Sequence, residues 1–220
     1  MHPRHLLVAA LACAGAPLAY AQSTSDLALG GSITPAACTI SIQDNGVFDY
    51  GTINKVKLNP DPAMKTWLTE RSLPMNVACG GPTRYAFRAI DNRIDSRAGV
   101  HTPEFGLGKA PDGTNIGSLA IKLGYVVVLD GVNGYCTLSS DGGATWFPSS
   151  LFTTNFPPID RQPDTLHGPT ALSGSTAGPS MVTNGQYNIF MHPAIRPANE
   201  LPWTDDLTLD GSATLELVYL

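Results

Sequence analysis

The chain is predicted to be all-β, an antiparallel immunoglobulin-like β-sandwich, and three observations predict it. Gly and Pro number 22 and 18 among 220 residues, too frequent a punctuation for long helices. Apolar and polar residues alternate in several short runs, the period of a half-buried strand. Between those runs stand Asn45-Gly46, Asp112-Gly113, Asp130-Gly131, Asn133-Gly134, Asp141-Gly142 and Asn184-Gly185, pairs that tolerate the positive φ of tight turns. Hydrophobic residues make up 43%, enough to build a core.

The elements follow in chain order. Met1 to Ala21 has a basic start at Arg4, an apolar run from Leu6 to Ala14 and small residues at Ala19 and Ala21. That is the plan of a removable secretory signal peptide, and its apolar run is short for a membrane span. Residues 22–220 are then expected to form one domain, exported through the inner membrane. The next stretch alternates with Leu27, Leu29, Gly31 and Ile33 on odd positions until Pro35 breaks it. Beyond the break the apolar residues are even, Ala36, Cys38, Ile40 and Ile42; such a phase flip re-aims side chains at a sandwich corner. Further strands are expected at 47–53, 73–79, 84–90, 118–129, 135–139 and 186–192. Residues 63–72 could form one short helix, with Met64, Trp67, Leu68 and Arg71 on a face. Residues 91–117 and 148–185 read as long loops, rich in Gly, Pro, Ser and Thr. The last strand is the clearest, with Leu207, Leu209, Gly211, Ala213, Leu215, Leu217 and Tyr219 alternating against polar partners and a bend at Asp210-Gly211.

Charge and chemistry narrow the function classes. Thirteen basic residues against eighteen acidic ones give a net charge of −5, which disfavours sequence-independent binding to nucleic acid or anionic lipid. No H-x-x-x-H, H-E-x-x-H, CxxC, calcium loop, phosphate loop or G-x-S-x-G elbow is present. His101, His167 and His192 are far apart in sequence. No enzyme, metal or cofactor is expected. Cys13 lies in the leader, leaving Cys38, Cys79 and Cys136. In an exported chain two of these should pair, although connectivity cannot be derived from spacing. Cys38–Cys79 is chosen because each sits in a strand-like alternation near the N-terminal half, with Cys136 as a buried thiol or, functionally, an intermolecular or reactive one.

The segment Ser139-Ser140-Asp141-Gly142-Gly143-Ala144-Thr145-Trp146 resembles the Asp-box of sialidases, in which a β-hairpin is tied by its Ser, Asp and Thr over a packed Trp. Ser139, Asp141, Gly143, Thr145 and Trp146 are therefore read as hairpin-fixing residues, with glycan stacking on Trp146 as the functional alternative.

Taken together, the two ends resemble subunits of pili assembled by the chaperone–usher route. The features are LALGGSITPAAC (27–38), a second cysteine in MNVAC at Cys79, and the terminal ATLELVYL (213–220) with its penultimate tyrosine. FDYG (48–51), DNR (91–93), FGLG (105–108), SSDGGATW (139–146) and LDGSATLELVYL (209–220) are similar to a family of fimbrial-like exported proteins. This resemblance implies a single disulfide, Cys38–Cys79, and a sandwich lacking its last strand. It implies that Leu27, Leu29, Gly31 and Ile33 form a donor strand for a neighbour. Ala213, Leu215, Leu217 and Tyr219 would border the acceptor groove and register a chaperone. The implied partners are a periplasmic pilus chaperone, an outer-membrane usher and neighbouring fimbrial subunits, with a host glycan as a further candidate. The implied location is the periplasm in transit and then a cell-surface fimbrium. The alternative is an exported carbohydrate- or surface-binding adhesin with a complete sandwich, its contacts on the two long loops around Trp146, Phe147, Phe152 and Phe156.

Overall fold

In the computed structural model, residues 37–98, 104–124, 126–148, 159, 161–203 and 207–220 are described. The leader and the donor residues Leu27, Leu29, Gly31 and Ile33 lie outside them, as do His101, Phe152 and Phe156. Among the described residues there are strands and short 3-10 turns but no α-helix, so the all-β expectation holds.

Eleven strands follow the chain: β1 (Cys38–Ile42), β2 (Thr66–Trp67), β3 (Arg71–Asp91), β4 (Glu104–Gly106), β5 (Gly117–Leu123), β6 (Val126–Leu129), β7 (Val132–Ser139), β8 (Phe147–Pro148), β9 (Leu166–Thr170), β10 (Met181–Ile195) and β11 (Ala213–Tyr219). Their ladders are all antiparallel. The strand order is β1-β3-β9-β7-β6-β10-β5-β4, and β10 also pairs with β3. That extra pairing closes β3, β9, β7, β6 and β10 into a ring, a barrel-like arrangement that the sandwich expectation did not contain.

The closure depends on two long strands. The sequence suggests separate strands at 73–79 and 84–90, but β3 runs unbroken for 21 residues. Gly80-Gly81-Pro82 bends the strand instead of reversing it, as Gly and Pro do at barrel corners. Its partner β10 accommodates the bend with a register shift between Val182 and Asn184. The first half of β3 carries β1 and most of β10, and the second half carries β11 and touches β9. The expected 118–129 strand is divided into β5 and β6.

Other expectations are corrected. Residues 63–72 are not a helix: Thr66 and Trp67 pair with Ile195 and Ala194 of β10, and Arg71 already begins β3. Met64 and Trp67 are about half exposed, with Trp67 against the His192 ring at 4.6 Å and Leu68 against the cluster around Leu58, so the four side chains share no common face. The loops are not wholly loop, since β4 interrupts the first and β9 and the start of β10 the second. Residues 47–53 form no strand, for a reason that bears on function.

The main core gathers Met75, Val77, Tyr85, Phe87, Val127 and Ile189 from strands of the ring with Phe105, Ile121 and Leu123 from β4 and β5, all buried. Alternation along β3 sends Met75, Val77 and Cys79 inward while their neighbours face out. Phe87 meets Tyr85 and Tyr187 edge-on, with centroids 5.6 and 5.0 Å apart, and the two tyrosine hydroxyls satisfy each other at 2.7 Å. A smaller cluster of Leu58, Ala110, Ile116, Ile195 and Leu201 closes one end.

Candidate functional site

Two segments flank β3 without touching each other's ladder. β1 pairs with its first half, Cys38 opposite Cys79 through Ile42 opposite Met75. β11 pairs with its second half, Ala213 opposite Asp91 through Tyr219 opposite Tyr85. They meet at one end, where the Cys38 backbone N–H donates to the Tyr219 hydroxyl at 2.9 Å. From there the chain runs along β1 to residues 46–55, and in the opposite direction along β11 back to residues 207–211. Residues 46–55 and residues 207–211 nevertheless line one cavity of about 1290 Å³, together with Leu107, Ile116, Leu119, Met191 and Ile195.

Both banks present half-buried apolar side chains that touch the main core: Ile40, Ile42 and Phe48 on one, Leu209, Ala213, Leu215 and Leu217 on the other. Among the described residues β11 is laddered to β3 alone, so its other edge carries no strand. Residues 47–53 have the periodicity of a strand, yet they too lack a ladder partner. Unpaired backbone edges beside apolar surface are a ready template for another strand.

Each bank is held by a motif that carried the sequence resemblance. In FDYG the Asp49 carboxylate accepts from the Gly51 N–H at 2.7 Å, and the Tyr50 hydroxyl donates to the Met191 carbonyl at 2.9 Å. Arg71 donates to the Asp49 carbonyl and stacks over the Tyr50 ring at 4.9 Å. Burial pushes the Tyr50 phenol up to about 12, against a smaller opposing pull from Arg71, so it remains a donor at physiological pH. Gly51 sits at φ 59°, where a side chain is strained.

DNR, FGLG and LDGS converge on the other bank. The Asp91 carboxylate accepts from the N–H groups of Arg93 and Gly106, at 2.8 and 3.0 Å. Arg93 grips Asp210 with two donors, at 2.8 and 3.0 Å, and hydrogen bonding to Arg93 holds the Asp210 carboxyl below its usual value. Asn92 donates to the hydroxyls of Ser212 and Thr214. A Cβ on Gly106 would stand 1.9 Å from the Arg93 carbonyl oxygen, so only glycine fits. Gly108, at φ 100°, lets Asp210 approach and its N–H reach the Leu107 carbonyl. The three motifs act as one clamp on the segment leading into β11. The sequence showed them separately; that they meet required the fold.

The remaining candidate residues fall elsewhere. Cys38 and Cys79 are disulfide-bonded, locking the root of β1 to β3. Cys136 is buried, its thiol directed at the Gly124 carbonyl at 3.4 Å and pushed up to about 12 by burial. In the segment resembling the Asp-box, Ser139 donates to Asp141 at 2.7 Å, Asp141 accepts from the Thr145 N–H at 2.9 Å and from its hydroxyl at 2.5 Å, and Gly143 N–H donates to Ser139. Hydrogen bonds from Thr145, with Ser139 adding to them, bring the Asp141 carboxyl down to about 2. Trp146 donates to the Gly143 carbonyl and packs against Gly178, leaving it half-buried in the hairpin. Among the described residues no three His, Cys, Asp or Glu side chains gather as a metal site.

The site thus stands on an all-β frame with a disulfide joining β1 to β3 and with β11 laddered on one edge, and comparison with known proteins gives the following similarities. Residues 27–104 match the family described as a protein of unknown function, DUF1120. Protein GltF of Escherichia coli (strain K12) is 24% identical over 262 residues, covering 99% of this chain and 98% of that protein. The uncharacterized protein YhcF of the same strain is 27% identical over 215 residues, covering 86% and 87%. Among solved structures the chain is similar to the P pilus rod subunit PapA, with 14% identity, 83% of this chain and 99% of that chain covered and a TM-score of 0.36. A chaperone–usher pilus structure gives 16%, 93%, 100% and 0.33.

Proposed function

We propose that this protein is a structural or accessory subunit of a chaperone–usher fimbria, assembled by donation of a β-strand between chains. The supporting observation is the trough lined by residues 46–55 on one side and residues 207–211 on the other, with the one-sided strand β11 leading out of it. Together the two banks offer an unladdered edge, seven half-buried apolar side chains and a cavity, the features an extended, alternating peptide would complete. On this reading the fold is an immunoglobulin-like sandwich without its last strand. A periplasmic chaperone supplies that strand in transit, and a neighbouring subunit supplies it in the fibre at the cell surface. Leu27, Leu29 and Ile33 are the side chains offered to a neighbour's trough, with Gly31 where the backbones come closest. Ala213, Leu215, Leu217 and Tyr219 form the edge along which the chaperone strand registers.

The test uses the oxidised chain and a synthetic peptide spanning Gln22–Pro35. Concatenation of the chain, or saturable uptake of the peptide with a rise in Tm of about 5 °C, is the expected result. A monomer whose Tm ignores the peptide would mean a complete domain and would overturn the reading.

A further inference from the structure

His167 is the one histidine among the described residues that lies in the interior, 1% exposed. It sits on β9, opposite Phe87 of β3 on one side and Leu138 of β7 on the other. The Phe87–His167 pair is the whole register between β3 and β9, whereas β9 and β7 share five pairs, from Tyr135 opposite Thr170 to Ser139 opposite Leu166. The ring of strands therefore closes through a single residue pair at this point, and that pair contains a titratable side chain. Neither imidazole nitrogen of His167 has a hydrogen-bond partner.

We propose that the β3–β9 contact is an acid-opened joint of the barrel, with His167 as the residue whose protonation opens it. A neutral imidazole can be buried at modest cost, but an imidazolium needs a counter-charge or water. None is offered by the strands around it. On β3 the same face carries Tyr85, a neutral donor, and farther along Asp91, already engaged by the N–H groups of Arg93 and Gly106. Arg88, next to Phe87, points to Glu216 of β11 at 2.7 Å. β7 contributes the Cys136 thiol and no charged residue, β9 has no other titratable group, and β10 adds the Tyr187 hydroxyl, bonded to Tyr85. Arg161 and Asp164 stand on the turn before β9, and Asp141 beyond β7 is tied to Thr145.

Burial alone lowers the imidazole from 6.5 to about 4. The folded state therefore resists a proton that the opened state accepts. Closure is at full strength above about pH 6.5 and weakens as pH falls from there to about 4. The opening equilibrium rises about tenfold per pH unit, or about 300-fold across the window. Relief comes when β9 lifts from β3 and water reaches the ring. The other edge of β3 at Phe87 holds Leu217 of β11, so the joint lies directly behind the strand that borders the trough.

The experiment is carried out on the full, disulfide-intact chain between pH 7.5 and 3.5. NMR of the wild-type imidazoles is expected to show His167 still neutral at pH 5. Over the same range, hydrogen-exchange protection at the β9 and Phe87 amides is expected to fall by about two orders of magnitude, while the β1–β3 ladder keeps its protection. His167→Leu should hold its β9 protection flat across the window. Titration of wild-type His167 above pH 6 would overturn the proposal. So would a loss of β9 protection that is the same in His167→Leu, or a simultaneous loss in the β1–β3 ladder. The imidazole titration decides the matter even if the Leu variant does not fold.

Discussion

At the scale of single residues, the structure distinguishes side chains that shape the backbone from those that fill space. Gly106 belongs to the first kind. Gly106→Ala would drive a methyl group into the Arg93 carbonyl and the Ser96 hydroxyl, and is expected to cost about 3 kcal/mol in urea denaturation. Tyr187→Phe removes one hydroxyl of a buried pair and leaves Tyr85 without its 2.7 Å partner, for an expected loss of about 2 kcal/mol in the same assay. Asp141 makes a pH prediction with the opposite charge type from His167. Its carboxylate is favoured in the folded hairpin, so its contribution is present above pH 3.8 and disappears as pH falls toward about 2. Asp141→Asn should lower Tm by about 3 °C at neutral pH and flatten that acid limb, as followed by thermal melts. How far residues could be read from sequence differs in the same way. Ser139, Asp141 and Thr145 were legible because their partners are within four positions. Asp91 and Arg93 were not, because their partners lie 15 and 117 residues away.

At the scale of elements, strands were legible where one face is buried beside a paired neighbour. β1 and the middle of β10 follow their period-2 patterns. β11 is a strand over Ala213–Tyr219 but buries Glu216 and Val218 as far as Leu215 and Leu217, whereas 207–212 and 47–53 have the pattern without the neighbour. The 63–72 segment failed differently, because apolar residues at helical spacing promise a helix only if a surface waits for them, and here β10 takes Thr66 and Trp67 into its ladder. The single long β3 was hidden by Gly80-Gly81-Pro82, which has the composition of a turn and the geometry of a bend. A prediction belongs to the disulfide that joins β1 to β3. Reducing it reopens a loop with a sequence separation of 41, and about 4 kcal/mol of stability should go with it, read as a shift in the urea midpoint. Arg93→Ala frees Asp210 and with it the start of β11. The expected signature is faster hydrogen exchange at Leu209–Thr214 with the β1–β3 ladder unchanged.

At the scale of the whole molecule, the ring of five strands explains why an all-β fold with so many short elements holds together. β3 takes part in five pairings, with β1, β9, β10 and β11 directly and with β10 again beyond the bend. Composition and periodicity could predict the class but not the closure, since closure depends on contacts such as Phe87 with His167 between residues 80 apart in sequence. Limited proteolysis should follow this division of labour, with cleavage first in 47–55 and at 207–211, and β3 and β10 the last to be cut.

The junction of Cys38, Cys79 and Tyr219 has a mechanical consequence. Tension transmitted along the polypeptide ahead of Cys38 reaches the covalent bridge before it reaches the five-residue ladder of β1, and so passes straight into β3. A load taken up by β11 arrives at that same strand through seven antiparallel pairs. The stretch of β3 from Cys79 to Asp91 is thus the tension member of the molecule, while β5, β6, β7 and β9 lie off the direct line of pull.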